Sequence, residues 1–318
     1  MKTTWIIALI AAFCLPTALM GQEKKNPEIG RDVKVKQDPG KTVYWVLPGP
    51  RRLSERVFGV PGHPLHTGEL NIKRAKGLVK ELFKRFPIMA GVPVKLRATN
   101  EDKTKFTKTK KGTPVSDKGK IVSGQFEITY KDRQPMDRPG DPTDTLDSVD
   151  LTVSFTDPKG NKYGIEILKL YQPPFPGFES GGGVVTDTWT HGNTGTDSPL
   201  FPKVFTYGAF WGIGNIIING KVADRDKWVH FMTTQTVRDK NYRLAIGEEL
   251  PLKPEETIAG QAHHTHIIVR PIKITPEGPK FDKVKTAFTL PNGKKQPFIH
   301  IMFEEDTIVK DAFKDWSP

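Results

Sequence analysis

The chain has 318 residues, a formal net charge of +12 and a single cysteine, Cys14. If Cys14 goes with a cleaved leader, the mature protein has no disulfide, no thiolate chemistry and no cysteine-based zinc site. The excess of Lys and Arg favours an acidic polymer or acidic protein as partner over a basic one, although such charge also serves plain solubility.

Lys2 precedes an apolar run from Trp5 to Phe13, and small residues follow near Gly21 before a polar stretch. That layout is a secretory signal peptide over residues 1–21, so the mature protein is expected to be soluble and secreted or periplasmic, with nucleic acid an improbable partner. The apolar run falls short of the roughly 20 residues a membrane span needs, so no transmembrane span is expected after cleavage. Residues 22–42, broken by Pro27, Gly30, Pro39 and Gly40, read as a flexible lead-in.

An N-terminal β-rich region is expected over 43–172. It opens with a strand at 42–47 and continues into a Gly/Pro loop bearing His63 and His66. An amphipathic helix follows at 69–86, where Ala75, Leu78, Val79, Leu82, Phe83 and Phe86 recur at helical spacing. Its basic opposite face would suit an anionic surface, but a stripe of this width more often packs on a sheet. Strands are expected at 92–98, 121–131, 148–156 and 163–171, the last two joined by the turn Asp157-Pro-Lys-Gly-Asn161. The seven lysines between 103 and 120 read as a solvated hairpin loop, because a nucleic-acid or sugar surface would interleave more aromatics.

The strongest break lies at 173–183, with Pro173-Pro-Phe-Pro-Gly and three consecutive glycines. A C-terminal β-rich region is expected over 184–305. Asn219-Gly220 gives it a sharp hairpin, and Pro291-Asn-Gly-Lys joins a strand at 284–290 to the next. The tail, 306–318, carries one short helical turn around Ile308, Ala312 and Phe313. Many short strands, turn residues between them and no fixed repeat predict a mainly β fold: an antiparallel sandwich or barrel in one or two lobes, with one amphipathic helix.

Gly-x-Ser-x-Gly, Gly-x-Gly-x-x-Gly and His-Glu-x-x-His are all absent from the sequence. What stands out is histidine alternation on three expected strands: His230 with Met232, His264 with His266, and His300 with Met302. Residues i and i+2 of a strand share a face, so neighbouring strands could turn these side chains into one spot. Imidazole nitrogens suit zinc or copper, and the two thioethers favour copper. Glu304 continues the His300 face as a ligand, an orienting group or a general base that would act as the catalytic residue. The competing reading is ordinary packing, each imidazole bonded to a backbone carbonyl and each Met filling a gap.

A second candidate is an aromatic-walled cavity in the same half, with Trp189, His191 and Trp211 as its ligand-binding groups. The sequence thus predicts an exported β protein that binds a small-molecule ligand or a metal ion through its C-terminal histidines. The alternatives are a metal-dependent hydrolase or lyase using Glu304, and a non-catalytic assembly subunit docking an acidic partner.

Overall fold

The structure, a computed structural model, describes residues 30–65, 92–133, 146–171, 183–191, 202–246 and 249–314, with side chains to 311. The expected signal peptide, the helix at 69–86, His66 and most of the 173–183 break lie outside the described residues. Among the described residues no helix is long and apolar enough to cross a membrane.

The fold is mainly β. Its strands in chain order begin with β1 (Gly30–Gln37), β2 (Val43–Val46), β3 (Gly59–Val60), β4 (His63–Pro64), β5 (Arg97–Thr99) and β6 (Phe106–Thr109). They continue with β7 (Gly119–Val122), β8 (Gly124–Asp132), β9 (Ser148–Thr156), β10 (Lys162–Leu170), β11 (Val184–Thr190) and β12 (Val204–Ile218). The last five are β13 (Lys221–Gln235), β14 (His263–Thr275), β15 (Gly278–Phe281), β16 (Ile299–Phe303) and β17 (Thr307–Lys314). A single short helix, α1 (Glu55–Phe58), is found among the described residues.

Thirteen of these strands form one antiparallel sheet in the order β17-β1-β8-β9-β10-β12-β13-β14-β16-β2-β7, with β11 on β12 and β15 on β14. Strands from before and after the 173–183 break share this sheet through the β10–β12 pairing. The sheet curls around its own apolar face. Val33 and Val35 of β1, Phe126 and Ile128 of β8, Phe155 of β9, Phe231 of β13, Ile267 of β14 and Ile301 of β16 belong to one buried cluster. Rings from distant strands meet in it: Phe126 and Phe303 lie 4.7 Å apart, and Trp45 and Tyr163 5.3 Å apart. Burial of this continuous face is the main stabilising contribution, because each large apolar side chain removed from water is worth about 1.5–3 kcal/mol.

Several hairpins follow the turn chemistry. Asn219 and Gly220 both adopt positive φ, 50° and 78°, which is what a two-residue turn matching the strand twist requires. The Asp157–Asn161 turn joins β9 to β10, with the Asp157 carboxylate accepting the Lys159 and Asn161 amides.

Four segments differ from expectation. Residues 30–37, read as part of a flexible lead-in, form β1, a strand bonded on both sides by β8 and β17. The tail is the strand β17 rather than a helical turn, because β1 offers it a free edge and a bulge between Lys34 and Val35 adjusts the register. Residues 284–290 form no strand; one bridge, Thr289 to Lys295, and the Leu290 amide on the Lys294 carbonyl hold the turn at Gly293. The lysine-rich stretch contains β6, which pairs β5, and β7, an edge of the main sheet. Beneath β5 and β6 sits a small second core of Leu53, Phe58, Val92 and Phe106. Buried Arg97 ties it together by donating to the carbonyls of Phe58, Leu65 and Val92.

Candidate functional site

Strand periodicity gives the sheet a second face, turned away from the main core, and cross-strand register assembles a set of rows on it. Trp211, His230, Ile268 and His300 stand opposite one another across β12, β13, β14 and β16. One step along, Ala209, Met232, His266, Met302 and Tyr44 form the next row. A third step pairs Thr234 with His264, beyond which lies Glu304. The expected sharing of one face by His230, Met232, His264, His266, His300 and Met302 is therefore observed. His263, one residue out of phase, turns to the other side, where its Nδ1 lies 2.6 Å from Asp306. There Asp306 also accepts from Thr265, and Thr265, Thr233 and Tyr130 continue a chain of hydroxyl contacts into the core.

The row of histidines is roofed by loops. Pro114 and Val115, Val237 to Leu244, and His191 with Pro202 close over His230, Met232, His266, His300 and Met302, leaving a pocket of about 70 Å³. Space of that size holds several waters or a small ligand, since one water needs only about 10–15 Å³ of it. Two more of the pocket's lining residues are the arginines Arg238 and Arg270, which the sequence reading did not single out. Arg270 lies over the rings of Trp211 and Trp228, at 4.5 and 5.0 Å from their centres. Its period-two spacing from His266 was a signal that could have been used. Arg238 sits in a loop and gave none.

Hydrogen bonds fix the rings and their tautomers. Nδ1 of His230 lies 2.8 Å from the Phe210 carbonyl oxygen, and Nδ1 of His300 lies 2.8 Å from that of Pro114. A carbonyl only accepts, so Nδ1 carries the proton in each neutral ring and Nε2 presents a lone pair. Nδ1 of His264 is 3.0 Å from the Glu304 carboxylate, which imposes the same tautomer. The Nε2 atoms of His264, His266 and His300 are buried and, among the described residues, have no hydrogen-bond partner. His230 is further held by a ring stack on Trp211, 3.6 Å between centres.

Both His266 and His300 are held neutral. Burial drives the His300 pKa down to about 3, helped by the Arg238 cation and His264 and opposed by the Pro114 bond. For His266 burial acts first, then the neighbouring His300, His264, His230 and His191, and its pKa falls well below 6.5.

His266 is the hub: its ring centre is 6.4 Å from that of His230, 6.1 Å from His264 and 5.6 Å from His300. Two imidazoles sharing a tetrahedral ion at 2.0–2.1 Å would have centres roughly 5 Å apart. The rings are thus near, but wider than, a ligand set, and among the described residues no group of three or more His, Cys, Asp or Glu is arranged to hold a metal ion.

The aromatic residues separate. Trp211 is 8% exposed and backs His230, whereas Trp189 is 46% exposed at the sheet surface, under the Lys203 ammonium and edge-on to Phe205. His191 ends β11 and reaches the pocket. Glu304 is 1% exposed and its Oε2 is engaged by His264. No protein-family profile, curated protein or solved structure matches this chain.

Proposed function

We propose that this is an exported binding protein that holds one soft transition-metal ion, copper in preference to zinc, in the roofed pocket. His266, His230 and His300 supply nitrogen and Met232 and Met302 supply sulfur. The observation that carries the reading is the locked tautomer. Backbone carbonyls take the Nδ1 protons of His230 and His300, and a carboxylate takes that of His264, which is how metal-ligating histidines are commonly oriented. Ordinary packing bonds Nδ1 in the same way; what favours a metal over packing is the buried Nε2 of His266 and His300, which has no hydrogen-bond partner among the described residues, a cost that a Lewis acid relieves.

Two further features favour copper. Thioethers are soft donors, and Met232 and Met302, each 1% exposed, flank His266 in register. The nearby guanidiniums also disfavour a dipositive ion more than a monopositive one.

The test is titration of the purified protein with Cu(I) under reducing conditions and, separately, with Zn(II). One equivalent of copper per chain is expected, abolished in the His266→Ala/His300→Ala double variant and kept in His63→Ala, whose histidine is exposed outside the pocket. Absence of metal uptake, or uptake indifferent to the double variant, sinks the reading. Turnover of ester, amide or phosphate substrates by the loaded protein would move it to a metal hydrolase with Glu304 as proton carrier.

A further inference from the structure

The arginines of the pocket supply no ligand atom to a metal and call for a different ligand. Arg238 is 1% exposed, and its Nε is buried with no hydrogen-bond partner among the described residues. Its Nη1 donates to the Tyr242 carbonyl at 3.3 Å, and its ring-facing side lies 4.6 Å from the Tyr242 centre. The carboxylate beside it is Asp117, at 3.6 Å, outside ordinary hydrogen-bond length. Asp117 is moreover committed elsewhere: Oδ1 accepts the Leu244 amide at 2.9 Å and Oδ2 the Arg52 amide at 3.1 Å.

The same Asp117 serves a second buried cation. Arg51 is 3% exposed, and its pKa is lowered to about 10 by burial, with Asp117 opposing and Arg238 adding to the shift. Arg270 also lines the pocket, with its guanidinium over Trp211 and Trp228. The remaining lining is imidazoles, two thioethers, the Thr234 side chain and apolar side chains. Arg238, whose Nε has no hydrogen-bond partner among the described residues, thus belongs to a pocket whose lining carries no carboxylate among those residues.

We propose that Arg238 is the acid-group subsite of this pocket, taking the carboxylate of a small organic acid whose other end lies toward the histidines. A guanidinium edge matches a carboxylate in geometry and charge, and burial strengthens the pair. The pocket volume admits an acid of a few heavy atoms and excludes a polymer. The inference builds on the copper reading only for what meets the acid's far end; the subsite itself stands on Arg238.

The experiment is calorimetric titration of sodium acetate into full-length mature protein, metal-free and copper-loaded, with sodium phosphate and sodium chloride as separate arms. Acetate is expected to bind both forms, and Arg238→Gln and Arg238→Lys should each weaken it at least about tenfold, the loss of one charge-assisted hydrogen bond. Copper uptake by Arg238→Lys should match wild type. The proposal is overturned if acetate fails to bind either form, if Arg238→Lys and Arg238→Gln bind it as wild type does, or if phosphate or chloride binds in its place. A protein that takes no copper yet binds acetate through Arg238 removes the metal reading and leaves the acid subsite standing. Should Arg238→Gln fail to fold, Arg238→Lys alone decides, because it keeps the charge beside Asp117 while removing the planar edge.

Discussion

His264 and Glu304 meet in the sealed interior, Nδ1 of one 3.0 Å from Oε2 of the other, with exposures of 0% and 1%. A buried imidazole donor facing a buried carboxylate fixes both side chains, and it sets the orientation of the ring next to the hub, His266. Removing the acceptor should therefore cost more than removing its charge. Glu304→Ala strands a buried N–H and should lower unfolding stability by about 1–3 kcal/mol. Glu304→Gln keeps a carbonyl oxygen to accept and should cost less. Urea unfolding midpoints check this, and equal losses in the two variants would show that the bond does not matter.

Two glycines test the separation of the sheet's faces. A Cβ on Gly208 would fall within the Tyr130 ring on the core side, and a Cβ on Gly119 would lie 2.6 Å from Cζ of Tyr242 on the roof side. Each Ala variant should destabilise by about 1–3 kcal/mol, the usual cost of overpacking. Only Gly119→Ala displaces Tyr242 from its 4.3 Å stack on Tyr44 and so disturbs the loop over the pocket. Its copper affinity should fall while that of Gly208→Ala stays near wild type, measured by competition titration.

Acid should unfold the protein through its histidines. His300 has a folded pKa of about 3 and His266 one well below 6.5, so at acid pH the unfolded chain binds protons that the folded chain refuses. Stability is full above about pH 6.5 and falls as pH drops toward 3, by about 1.4 kcal/mol per pH unit for each such histidine. His300→Gln should flatten that slope by one proton's worth between pH 6 and pH 4. A denaturation series whose slope is unchanged in the variant would contradict the neutral assignment.

The alternation His230/Met232, His264/His266 and His300/Met302 was readable because a strand's two-residue period is local, and the β12–β13 hairpin was marked by Asn219-Gly220. The antiparallel register that lines the pairs up on one face followed from neighbouring strands. What fixes the rings was not readable: His300 is anchored by Pro114, 186 positions away, and Arg238 enters from a loop with no period. Strand β1 was hidden for a related reason. Val33 and Val35 sit among charged residues, and the segment looks solvated until β8 and β17 pair with it from remote parts of the chain. Conversely, the tail's apolar residues fit helical and strand spacing alike over so few positions, and the β1 edge decided between them.

Metal linkage gives the most direct test of the histidine hub. A ligand that binds only the folded chain stabilises it by about 2.7 kcal/mol at a hundredfold excess over its Kd. For a protein of this size that corresponds to a rise in Tm of roughly 4 °C. Copper should produce the shift, a chelator should reverse it, and zinc should produce a smaller one. His266→Ala removes the ring that stands between Met232 and Met302 and within 6.4 Å of three other imidazoles. Nε2 of His266 has no hydrogen-bond partner among the described residues, so removing the ring breaks no bond there and should cost the metal-free protein little. The variant should melt near the wild-type apo temperature and ignore added copper. A copper-induced rise in Tm that survives His266→Ala would place the ion somewhere other than this pocket.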